Sequence, residues 1–361
     1  MSHKLSEDIS LIAVGKFAFL FLIVLGAWFN GASYHDLHGN DDIKTRFFTF
    51  LQMFTVAAMA VFAHDAFGHT SMGFGVSYIS FLTIITFLWW RSGYHDPSHR
   101  PLSTPYSVTF LAAILIFIVS LFVDEAYRYY LWMLSVGLTA LSPLALFVAS
   151  TKSEKMGEQF NQAATVSESF AERFGLMTII VLGEVVVGVT QGTAKHDHLT
   201  LSIGITAVLS MLLAIGIWWL YFDFIARHMP KKEIIAEAGW MYLHIPLMMG
   251  ITAIGASVLN VIKHPEALDS NTKALLIGAV VAVYFSVSML FFTIKMPDNF
   301  VGINKKGQRV TFAAAIVSLL LLFVPLGVIP LLVVLNLVML TPVYFGVRVW
   351  IKMRSAGFID E

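Results

Sequence analysis

Val310–Trp350 reads VTFAAAIVSLLLLFVPLGVIPLLVVLNLVMLTPVYFGVRVW, with no charged residue before Arg348. One helical crossing of a bilayer needs roughly 20 apolar residues, so this stretch is too long for one crossing and suits two. Pro325, Gly327 and Pro330 stand at its middle, where proline interrupts a helix and glycine eases a turn. The stretch predicts a tight hairpin of two membrane helices.

The rest of the chain has the same character. Of 361 residues, 57% are hydrophobic and 13% charged, with 30 Phe, 16 Met and 8 Trp. A soluble domain carries about a quarter charged residues, so this chain has too little polar surface to coat soluble cores. Eleven apolar runs qualify as crossings: 11–29, 46–63, 72–90, 106–123, 130–149, 174–192, 200–222, 240–262, 274–294, 310–327 and 330–350. No small-residue cleavage site follows the first run, which carries Lys16 and ends in Trp28 and Phe29, so it is expected to remain as a membrane helix. The fold class expected is all-α, a polytopic transmembrane helix bundle of about eleven helices. Lys+Arg and Asp+Glu are both 23 and no basic tract occurs, which sets nucleic acid aside as a partner. With zero cysteines there is no disulfide, thiolate metal site, cysteine nucleophile or covalent haem attachment.

Alternating the runs across the membrane leaves only Lys4, Arg128, Lys195, Lys263 and Lys273 on the side of the N-terminus. The other loops hold the remaining lysines and arginines, apart from Lys16. The rule that basic loops stay inside then places the C-terminus in the cytoplasm and the N-terminus outside. An outside N-terminus without a signal peptide suggests a further helix upstream of Met1.

An internal repeat points the same way. Aligning Trp28 with Trp219 pairs Asp42-Ile43 with Glu233-Ile234 and brings Gln52 beside the position of His244. Leu141-Ser142-Pro143-Leu144 also matches Leu340-Thr341-Pro342-Val343. The expected organisation is a first repeat at 1–150, a cytoplasmic linker at 151–172 and a second repeat at 173–361. Together they form a 6+6 parallel-repeat architecture missing one N-terminal helix.

Chemistry concentrates in few places. Glu184 lies twelve residues beyond Glu172, about 18 Å into the membrane at about 1.5 Å per residue. An ionised carboxylate there costs about 2.5–3.5 kcal/mol even on the gentlest scale, so it is protonated, paired or facing a polar cavity. It is either a proton or cation site or a hydrogen-bonded packing contact. Gly183 and Gly188 flank it, and Gly188-xxx-Gly192 is a pattern that lets a neighbouring helix approach. Glu172 and Arg173 stand at the cytoplasmic mouth of the same helix, Arg173 as an interfacial anchor or a gate. Trp218-Trp219-Leu220-Tyr221-Phe222-Asp223 ends the seventh run, and Trp240-xx-Leu243-His244 opens the eighth. The tryptophans suit an interfacial belt; Asp223 and His244 are candidates for proton handling, His244 equally for a buried imidazole held by a carbonyl. Pro143 and Pro342 are candidate helix kinks. His35, His38, His64, Asp65 and His69 invite a metal reading, but His35 and His38 fall in the cytoplasmic first loop and the others at the outer end of the second helix. No metal and no cofactor is expected. Hydrolase, zinc-protease and nucleotide-loop signatures are absent, so no enzyme is expected.

Glu172-Arg173-Phe174-Gly175-Leu176 through Leu182-Gly183-Glu184 resembles the bacterial low temperature requirement A (LtrA) family of membrane proteins. The resemblance extends through Trp218–Asp223, Tyr242-Leu243-His244-Ile245-Pro246, Asp41-Asp42, Arg46, Gln52-Met53 and Asp65-Ala66-Phe67. Family members usually begin with an additional helix bearing an E-L-F-F-D-L-V-F-V-like string, absent here, and often carry His where this chain has Ser169. The resemblance implies a polytopic membrane protein named for growth at low temperature and names no substrate. The function expected is secondary transport of a small solute or ion coupled to protons through Glu184, with membrane lipids as the other partners. The alternatives are a membrane-organising protein without transport and, more remotely, an ion channel.

Overall fold

A computed structural model of the chain describes residues 2–39, 42–140, 165–265, 268–296 and 301–355. Among these residues the regular structure is helical: α1 (Ser2–Glu7), α2 (Leu11–His38), α3 (Ile43–Phe62), α4 (Ser71–His95), α5 (Arg100–Ser120), α6 (Glu125–Ala140), α7 (Glu168–Thr193), α8 (Leu201–Tyr221), α9 (Ile234–Lys263), α10 (Ser270–Thr293), α11 (Val301–Leu320) and α12 (Val328–Ser355). Among the described residues ten helical segments are long and apolar enough to cross a membrane. They correspond to ten of the eleven runs; the run at 130–149 begins in α6 and then leaves the described residues. Pro143, most of the 151–172 linker and the Leu141–Leu144 half of the repeat match also lie outside them.

A helix in lipid must satisfy its own polar groups. The hydroxyls of Ser77, Thr86, Thr252, Ser257 and Thr311 each donate to the carbonyl four residues back, so they cross the apolar layer already paired. Helix starts are fixed by caps. The Asp42 carboxylate accepts from the Thr45 N–H, and Thr45 holds that carboxyl below its ordinary pKa. Asp269 accepts from Asn271 and Thr272 N–H at the start of α10. Asp269→Ala is expected to cost about 1 kcal/mol, measured as a lower melting point in detergent, with Asp269→Asn retaining most of it.

The chain divides into two compact units. The first, residues 18–170, packs α3 on α4, α4 on α5 and α5 on α6. Its core holds Phe74, Tyr78, Phe81, Phe110, Phe117 and Trp132. Trp132 Nε1 donates to Ser120 Oγ at 2.9 Å, and Arg128 ties the ends of three helices through Ser71 Oγ and the Ser120 carbonyl.

The second unit, residues 1–17 and 171–361, packs α9 on α10, α10 on α11 and α11 on α12, while α8 lies on α12 and α1 on α9. Helix α9 is its centre, with 78% of its most apolar window buried. The predicted hairpin is present: α11 ends in a single 3-10 turn, Leu321–Phe323, and α12 begins at Val328. Lys273 donates from Nζ to the Leu322 and Val324 carbonyls there, where a cation suits the negative end of a helix. The opposite ends of the unit are joined by backbone bonds from Lys231 N to Thr293 O and from Lys295 N to Met229 O, both 2.8 Å.

One expectation needs correction. His35 and His38 are not in a loop. They occupy the last turns of α2, which runs nine residues beyond the apolar run because a helix continues through the interface after the hydrocarbon ends. His35 Nε2 meets Gln52 Oε1 at 3.2 Å and Thr49 Oγ1 at 3.3 Å, while the His38 ring packs edge-on against Trp89 and His99 and tilted against Tyr34. His64, Asp65 and His69 lie in the α3–α4 turn as expected, and Asp65 accepts the His69 N–H. Among the described residues no group of three His, Asp or Glu side chains is arranged to hold a metal ion.

Candidate functional site in the second unit

The polar groups of interest lie along α7, α8 and α9. On α9, Glu237, Trp240 and His244 follow one another at spacings of three and four residues, so they share a face. All three are buried, Glu237 at 4% and His244 at 0% exposure. His244 Nδ1 donates to the Trp240 carbonyl at 2.7 Å, and Tyr221 from α8 donates its hydroxyl to Nε2 at 3.0 Å. Both ring nitrogens are thus used by a neutral imidazole. Phe174 of α7 and Trp240 pack on the ring with centroids at 4.7 and 4.4 Å, and Thr178, one turn along α7, donates its hydroxyl to the Phe174 carbonyl at 2.8 Å. Beside this cage the Trp240 indole N–H is buried and has no hydrogen-bond partner among the described residues. A buried donor left unmet costs about 1–3 kcal/mol, so it favours any acceptor that reaches it.

Glu184 stands on α7 at another depth. Its main-chain carbonyl faces Gly255 of α9, where an added Cβ would come to 2.8 Å, while His244 lies roughly 16 Å further along α9 at about 1.5 Å per residue. The two groups do not touch. Glu184 is half-buried, its carboxylate accepts a hydrogen bond from the Ser2 hydroxyl of α1, and no ion pair forms on it among the described residues. The close approach that holds it there comes from glycine. A Cβ at Gly188 would lie 2.5 Å from the Gly255 carbonyl oxygen and one at Gly192 2.9 Å from Ile262 Cβ, whereas Gly183 faces open space.

Asp223 goes elsewhere. The end of α8 opens into a π turn, Phe222–Ala226, in which Asp223 accepts from Trp219 Nε1 and pairs with Arg227 at 3.7 Å. Trp218 and Trp219 are exposed, as an aromatic belt requires. His228, just past this turn, bonds the Phe224 carbonyl through Nδ1, and burial pushes its imidazole down. Glu172 is exposed and Arg173 half-buried at the start of the α7 span. Pro342 is buried inside α12, where it withholds an N–H from the Val338 carbonyl; Pro246 likewise lies inside α9 and withholds an N–H there, next to the His244 cage.

The arrangement therefore gathers His244 with Tyr221, Trp240, Phe174 and Thr178, and leaves Glu184 and Asp223 apart from it and from each other. Glu237, Tyr221 and Thr178 carry no signature in isolation. The three-and-four spacing of Glu237, Trp240 and His244 was the available signal for the first. Such groups offer hydrogen-bond partners for binding and for proton exchange.

A family model described as bacterial low temperature requirement A protein (LtrA) matches residues 1–350. No curated protein and no solved structure gives a match.

Proposed function

The chain belongs to the bacterial low temperature requirement A (LtrA) family, and from that premise we propose that this multi-pass membrane protein is a secondary transporter coupling a small solute or ion to protons at Glu184. The observation that carries the proposal is the carboxylate itself. It sits on a membrane-spanning helix, beside a glycine seam, with a neutral hydroxyl as its partner and no ion pair among the described residues. A carboxylate within the membrane that is not locked into an ion pair is the kind of group that coupling requires. The unmet Trp240 N–H and buried Glu237 supply polar contacts for a solute on the adjoining helix. The protein in this proposal is no enzyme, lies in the bacterial inner membrane with its C-terminus cytoplasmic, and consists of two parallel repeats, 1–150 and 173–361. In favour of the repeats stands the matching order of packing, α3 through α6 in one unit and α9 through α12 in the other.

The second reading is a membrane-organising protein, favoured by the same Ser2 to Glu184 bond, since a protonated carboxyl held by a hydroxyl is also packing glue. Thermal shift in detergent, with ions, pH and small metabolites screened on wild type and Glu184→Gln together, separates the two. Transport predicts a solute that raises the wild-type melting point in a pH-dependent manner and loses that effect in Glu184→Gln. If no solute shifts either protein and Glu184→Gln merely melts lower, the transport proposal fails and the packing role stands.

A further inference from the structure

The first unit carries a groove that the site above does not use. A cavity of about 740 Å³ opens along the seam of α4 and α5. Its walls are mainly apolar, and Phe87, Trp90, Val108 and Leu111 are all exposed along it. In a bilayer such side chains face acyl chains. Two features make this more than a general lipid surface. The Ser107 hydroxyl lines the groove, buried and without a partner among the described residues. At the end of the groove the exposed Arg100 donates Nε to the Gly93 carbonyl at 3.0 Å, which anchors the guanidinium among the lining residues. Asp96, one turn earlier, is engaged by the Ser98 N–H and hydroxyl and by His99, so no bond from it neutralises Arg100.

The dimensions select the occupant. Lining residues run along α5 from Arg100 to Ile114 and along α4 from Tyr94 back to Thr83. At about 1.5 Å per residue that is roughly 15–20 Å, close to one leaflet of a hydrocarbon core about 30 Å thick. A soluble anion would use the arginine and leave the apolar trough empty; a neutral sterol-like molecule would use the trough and ignore the arginine. We propose that the α4–α5 groove is a binding site for one anionic phospholipid, with the headgroup phosphate on Arg100 and an acyl chain laid along Trp90, Val108 and Leu111. The inference is independent of transport through Glu184, which lies in the other unit.

The test measures lipid binding to the purified full chain by native mass spectrometry and by thermal shift, adding phosphatidylglycerol or phosphatidylcholine of equal chain length. Wild type is expected to bind phosphatidylglycerol about fivefold more tightly, the value of one basic residue at a membrane surface. Arg100→Gln should reduce the preference to parity while retaining the binding common to both lipids. Leu111→Trp, which fills the trough and leaves Arg100 in place, should lose one tightly held molecule of either lipid. Equal affinity for the two lipids in wild type overturns the headgroup assignment, and unchanged lipid retention in Leu111→Trp overturns the groove. If Arg100→Gln does not fold, the wild-type preference and the Leu111→Trp result decide between them.

Discussion

Gly188→Ala and Gly255→Ala are each expected to destabilise the protein by about 1–3 kcal/mol, while Gly183→Ala on the same helix as Gly188 changes nothing or stabilises slightly. Lipid offers no hydrophobic drive for one helix to leave it for another, so α7 and α9 hold together by close packing. The added methyl at Gly188 would meet the Gly255 carbonyl oxygen at 2.5 Å, and the methyl at Gly255 would meet the Glu184 carbonyl oxygen at 2.8 Å. Both obstacles are main chain and cannot rotate aside, so the helices must part. At Gly183 nothing lies within 4 Å, and alanine is the better helix former. The measurement is the fraction of each variant that stays monodisperse after heating in detergent. Equal survival of Gly188→Ala and Gly183→Ala would show that the seam does not hold the helices. Because the seam touches the main chain of Glu184 itself, loosening it is also expected to weaken whatever effect ligand or pH exerts through that carboxylate.

What the sequence revealed and what it hid have one physical cause. Apolar run length measures the bilayer, so the runs located ten crossings and the hairpin around Pro325 and Gly327. It does not measure the helix. Helix α11 begins at Val301, through Asn304, Lys305, Lys306 and Arg309, because an interfacial turn satisfies its backbone without needing apolar side chains. The same effect carried α2 on to His38 and turned two supposed loop histidines into partners of Gln52 and Trp89. The site was half legible for a related reason. In lipid the outward face of a helix is as apolar as the inward one, so periodicity could not separate exposed Trp218 and Trp219 from Tyr221, which is wholly buried against His244. Charge in an apolar run was the signal that singled out Glu184, which the fold places half-buried on α7. It also suggested Asp223 as a companion of His244, but a π turn at the end of α8 sends that carboxylate to Trp219 and Arg227.

His244→Ala is expected to have the largest effect of any single change in this region, about 3 kcal/mol or more. It would empty a cage that has no solvent to refill it, and it would remove the acceptor that the Tyr221 hydroxyl uses. Tyr221→Phe removes the donor and keeps the ring, leaving the Nε2 lone pair unmet at about 1–3 kcal/mol. Since both changes break one bond, the double variant is expected to lose less than the two single losses together. The cycle also decides what the imidazole does. Nδ1 is committed to the Trp240 carbonyl and Nε2 to a tyrosine, so a protonated ring would have to turn the Tyr221 hydroxyl from donor to acceptor and send its hydrogen away from the ring. On this geometry His244 is a fixed element that holds α8 on α9, and Tyr221→Phe should lower the melting point by the same amount at every pH between about 5 and 8. A Tyr221→Phe penalty that shrinks as the pH falls would instead mark His244 as a group that takes up a proton, and would draw the cage into the coupling mechanism with Glu184.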